Sequence, residues 1–62
     1  MKVEFRDRTS GQRMGEWTEN ITFIPRVGEV VYVHDRLDEH GLRVSAIEWF
    51  GPTIVRCYTQ RI

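Results

Sequence analysis

Polar and apolar residues alternate from the first position of this chain. Met1, Val3 and Phe5 interleave with Lys2, Glu4 and Arg6. This period of two gives a strand one buried and one solvated face. From Asp7 to Gly15 the period is lost, and two glycines sit among polar residues, so the stretch reads as a loop. Long loops in small domains tend to serve function or to move. Alternation returns at 17–24, where Trp17, Glu19, Ile21 and Phe23 oppose Thr18, Asn20, Thr22 and Ile24. This second strand is expected to pair antiparallel with the first. It should stop at Pro25, which has no N–H for a ladder.

The stretch from Pro25 to Val33 organises the rest of the chain. Pro25 and Gly28 set a tight corner, and Val30-Val31-Tyr32-Val33 then run as a strand with apolar residues on both faces. Val31 and Val33 point one way, Val30 and Tyr32 the other. One set can be filled by the neighbouring hairpins. The other asks for more core than so short a chain easily provides. The stretch from Asp35 to Gly41 is charged, ends in glycine and reads as a hairpin loop with room for one helical turn.

Beyond it the apolar positions change parity. Leu42 and Val44 are even, whereas Ile47 and Trp49 are odd. One extra residue near Ser45-Ala46 turns every later side chain to the other face, which is what a β-bulge does. Gly51-Pro52 makes a turn, and 53–62 is the last strand, with Val55 and Cys57 on one face and Ile54, Arg56, Tyr58, Gln60 and Ile62 on the other. The expectation is all-β: one domain over 1–62, a small five-stranded antiparallel barrel or strongly bent sheet.

Three stretches carry a resemblance. Pro25-Arg26-Val27-Gly28-Glu29-Val30-Val31, then Arg43-Val44-Ser45-Ala46-Ile47-Glu48-Trp49, then Ile54-Val55-Arg56-Cys57-Tyr58 resemble the SH3-like small barrels of short bacterial and phage proteins. The resemblance covers 23–62 and implies an SH3-like barrel. It says little of function, because this fold hosts many unrelated roles. A phage or mobile-element accessory protein is the association it brings.

Composition narrows the classes. At 62 residues, folding buries only about 60% of the unfolded chain's surface, so a partner subunit or another staple is a natural aid. Cys57 is the single cysteine, which excludes an internal disulfide and suits a reducing compartment. There is no apolar leader and no run long enough for a membrane span, so a cytoplasmic protein without membrane contact is expected. Nine bases balance nine acids, which argues against a general attraction to nucleic acid. Eight of those bases are arginine, the residue that stacks and makes bidentate contacts.

No residue pattern points to catalysis. Cys57 sits mid-strand among apolar neighbours, and Ser10 and Ser45 lie in no nucleophile elbow. His34, Asp35, Asp38, Glu39 and His40 are dense in potential ligands, but their spacing matches no metal motif, and a solvated loop is the plainer reading. Neither a metal nor another cofactor is expected. The aromatics are more informative. Trp49 suits the core of a small barrel. Trp17 and Phe50 stand at strand ends, the rim where such barrels present aromatics. Candidate binding residues are Trp17, Arg26, Tyr32, Arg43, Phe50, Arg56, Tyr58 and Arg61. They point first to a non-enzymatic module that binds a protein partner or itself as a homo-oligomer. A nucleic-acid partner read by arginines and rim aromatics is the alternative. Sequestration of a small anionic nucleotide at an oligomer interface is the third reading.

Overall fold

The computed structural model describes residues 1–18, 21–34 and 39–62. Five strands form one strongly curled sheet: β1 (Lys2–Asp7), β2 (Arg13–Trp17), β3 (Val30–His34), β4 (Glu39–Trp49) and β5 (Ile54–Arg61). Their order is β2-β1-β5-β4-β3, and the curl makes a half-barrel. The described residues contain no helix, and hence none long and apolar enough to cross a membrane.

Three pairings are antiparallel, as expected, but β1 and β5 run parallel at the sheet centre. The sheet is therefore mixed. A parallel neighbour needs a long crossover, and β2, β3 and β4 together supply it. Local alternation carries no sign of a pairing between residues fifty positions apart.

The first hairpin is tighter than the polar stretch suggests. Asp7 Oδ2 accepts hydrogen bonds from the Thr9 and Ser10 N–H groups and from the Ser10 hydroxyl. The Asp7 N–H donates to Gln12 O, and Gly11 takes φ 77°. This aspartate-organised turn sends the chain back at Arg13, before the expected second strand begins. The strand expected at 17–24 is thus corrected to Arg13–Trp17. Ile21 and Ile24 still pack against the core without belonging to a strand, and Phe23 is exposed. Glu19 and Asn20 lie outside the described residues.

The corner at Pro25 is where the sequence places it. Pro25 is buried, Glu29 N–H donates to Arg26 O, and Gly28 takes φ 95°. Gly28 N–H donates to Val44 O and Val44 N–H donates to Glu29 O, which pins the corner to β4. On β3, Val33 is buried and Val31 packs against the core, but Tyr32 is 56% exposed. The strand is buried on one face only, because nothing described covers the convex side. The expected loop from Asp35 is shorter, since β4 starts at Glu39. Asp35 and Asp38, with any helical turn there, lie outside the described residues.

The bulge is present. Register shifts between Val44 and Ala46, so Val44 opposes Thr59 while Ile47 opposes Cys57 and Trp49 opposes Val55. All these apolar positions thereby reach the concave side. The core there is Val3, Phe5, Val33, Leu42, Val44, Val55 and Cys57, with Met14, Trp17, Ile21, Ile24, Val31 and Ile47 packed around it. Thr59 is also buried, and its hydroxyl donates to Arg6 O at 2.8 Å. Trp49 departs from its expected core role and is 52% exposed. Its parity is inward, but it is the last residue of β4 and stands at the rim.

Candidate functional site

The convex face is the outer side of the same alternation. On β1 it carries Lys2, Glu4 and Arg6, and on β5 it carries Ile54, Arg56, Tyr58 and Gln60. Glu48 and Ala46 of β4 continue it beside Arg56 and Tyr58, and Glu16 of β2 continues it beside Glu4. One row across four strands reads Glu16, Glu4, Arg56, Glu48.

Glu4 is 7% exposed despite its charge. Two guanidiniums lean over it, Arg56 Nη2 at 3.6 Å and Arg6 Nη2 at 3.9 Å. A buried carboxylate needs such company, since an unpaired one is costly. Glu16 is bridged in the same way by Arg13 Nη2 at 2.7 Å and Lys2 Nζ at 3.4 Å. The Tyr58 hydroxyl donates to Glu48 Oε1 at 2.7 Å. The Arg56 guanidinium lies 4.4 Å from the centroid of the Phe50 ring, a cation–π contact. The Tyr58 hydroxyl, followed by the charges of Glu4 and Glu48, holds Arg56 above the ordinary arginine value against the opposing effect of desolvation. The Nε atoms of Arg6 and Arg56 are buried and meet no acceptor among the described residues.

Five of the eight residues singled out from the sequence gather on or beside this face. Arg56, Tyr58 and Phe50 form one patch, and Tyr32 and Arg43 lie further along, on β3 and β4. The other three lie elsewhere. Trp17 turns inward and meets Phe5 edge-on, with ring centroids 4.9 Å apart. Arg26 stays at the exposed corner, paired with Glu29. Arg61 lies at the end of β5, its Nη2 3.2 Å from His40 Nδ1. Lys2, Glu4, Arg6, Arg13 and Glu16 belong to the face but were not among the candidates. Their signal was the polar half of the first strand's alternation. It joins the arginines of β5 only through the parallel β1–β5 pairing.

The side chains with intrinsic chemistry are elsewhere. Cys57 is fully buried, and desolvation pushes its thiol up to about 11. Ser10 is committed to Asp7. His34 Nε2 stands 3.6 Å from Glu39 Oε1 at the β3–β4 junction.

No family model, curated protein or solved structure matches this chain. What defines it is its architecture: a small all-β half-barrel of five strands whose convex face is laid with paired arginines and aromatics.

Proposed function

We propose that this chain is a non-enzymatic protein-interaction module, a small barrel of SH3-like kind that binds through its convex face. The observation that carries the reading is the Arg56 guanidinium seated on the half-exposed Phe50 ring. Arginine and aromatic side chains dominate the energetics of protein interfaces. Arg56 is already oriented by Phe50 and Glu4, and Tyr58 by Glu48. Side chains held in place before binding lose less entropy on binding. Exposed Met1, Trp49 and Phe50 add apolar surface to the module. The cations favour a protein over a phosphate backbone as partner, because Lys2, Arg6, Arg13 and Arg56 already serve the carboxylates of Glu4 and Glu16. A phage or mobile-element accessory role, with a host protein as partner in the cytoplasm, completes the reading. Its support is the sequence resemblance alone.

The test compares capture by immobilised wild-type protein and by a Phe50→Ala/Arg56→Ala variant that retains its fold. Expected is a discrete partner held by the first and lost by the second, with nuclease treatment making no difference. Equal capture by both proteins overturns the reading. Binding to single- or double-stranded nucleic acid that falls steeply with salt would favour the nucleic-acid alternative. A thermal shift with a nucleotide panel would favour sequestration.

A further inference from the structure

A second patch of the convex face has a symmetry of its own. Register sets Val30 beside Arg43, Tyr32 beside Gly41, and His34 beside Glu39. Along β4, Glu39, Gly41 and Arg43 alternate onto this one face. The strand therefore displays an acid, a gap and a base in equal steps. The gap is filled from both sides. A Cβ on Gly41 would stand 2.9 Å from Ile62 Cγ1 and 3.1 Å from Tyr32 Cε1, so these two side chains close over the glycine. Both remain largely in water, Tyr32 at 56% and Ile62 at 62% exposed. The result is an apolar centre flanked by a carboxylate on one side and a guanidinium on the other.

Such a pattern is its own complement. Rotated by half a turn about an axis through Gly41, it places base over acid and acid over base, while the apolar centres meet. This is the requirement of an isologous interface, in which one patch serves both subunits. We propose that the Tyr32–Gly41–Ile62 surface seats a second copy of this chain, ordered by two reciprocal Arg43–Glu39 pairs. Neither residue must be recruited from the core. Both are exposed, Arg43 with its Nη1 donating to Gly28 O at 3.2 Å and Glu39 beside His34. Tyrosine suits the centre of such a contact, since it buries a large rigid area at little entropic cost. The proposal extends the interaction-module reading to a second patch and rests on that reading.

The test is sedimentation of the full chain over a wide concentration series. Wild type is expected to pass from monomer to dimer. Tyr32→Glu is expected to stay monomeric. Arg43→Glu and Glu39→Arg are each expected to weaken association by about tenfold or more through like-charge contact. The double variant, with both charges exchanged, should regain wild-type association. Circular dichroism of each variant checks the fold, and the charge exchange decides the question even if Tyr32→Glu unfolds. A strict monomer, a dimer insensitive to Tyr32→Glu, or a double variant no tighter than the single ones overturns the proposal. If capture that depends on Phe50 and Arg56 survives such a result, only the dimer is lost. If that capture also fails, the interaction-module reading goes with it.

Discussion

Gly15 on β2 and Val33 on β3 touch across the half-barrel, where a Cβ on Gly15 would stand 3.3 Å from the Val33 Cβ. β2 and β3 are the two end strands of the sheet. They come together by close approach of a bare backbone to a buried valine. A β-carbon there is tighter than ordinary contact, so Val33 would have to shift by a few tenths of an ångström to admit one.

Gly15→Ala should therefore destabilise the protein by about 1–3 kcal/mol through overpacking against Val33. Gly15→Val should cost more. Denaturant midpoints measure both. A neutral Gly15→Ala would show that the walls have room to yield.

Among the described residues, Glu4 is the one carboxylate of the convex face that is nearly lost from solvent. Removing it as Glu4→Ala leaves two guanidiniums, both partly in water, without their shared partner. The expected loss is about 1–2 kcal/mol, below the range for fully buried pairs because of that exposure. Glu4→Val combined with Arg56→Val should recover part of it, since an apolar pair of strand formers replaces a broken charge pair. Urea unfolding of the two variants compares them directly.

Cys57 gives a pH dependence of known sign. Its thiol is held up to about 11 when folded, against an ordinary value of 9.0. Between these values the unfolded chain ionises first. Stability should fall as pH rises above 9.0, by at most about 1.4 kcal/mol per pH unit from this group. Cys57→Ala should flatten that slope. In native protein at neutral pH the thiol should resist alkylation, reacting only as fast as the chain opens.

The bulge at Ser45 allows a register test. Deleting Ser45 removes the extra residue between Val44 and Ala46. Alternation then runs unbroken from Val44 to Ala46, so Ile47 and Trp49 keep the concave side and Glu48 the convex one, and only the local bend and twist of the bulge are lost. The variant is expected to unfold cooperatively at a lower denaturant midpoint, because the curled sheet loses a bend that helps it close. An unchanged midpoint would mean that the curl does not depend on the bulge.

Much of this fold was legible because it is local. Met1 to Arg6 alternate cleanly, Pro25 and Gly28 mark a corner, and the parity change after Val44 betrays the bulge. Other features answer to forces that alternation does not record. The Asp7 carboxylate gathers three donors into a turn and moves the second strand forward by four residues. Trp49 has core parity, but its burial depends on how far the opposite wall extends. The convex site was half legible. Arginines and aromatics of β5 stood out by residue type, but Glu4 and Arg6 join them only because β1 lies beside β5.

That central pairing also bears on how the protein is made. Val3 and Phe5 sit opposite Val55 and Cys57 in the middle of the sheet, so the residues of β1 wait for a strand made some fifty positions later. A nascent chain holding only β1 to β4 has Val3 and Phe5 with no central neighbour to cover them. Contacts this distant in sequence slow folding, and partly made chains with exposed strands are prone to aggregate. The half-barrel can therefore close only once β5 has emerged.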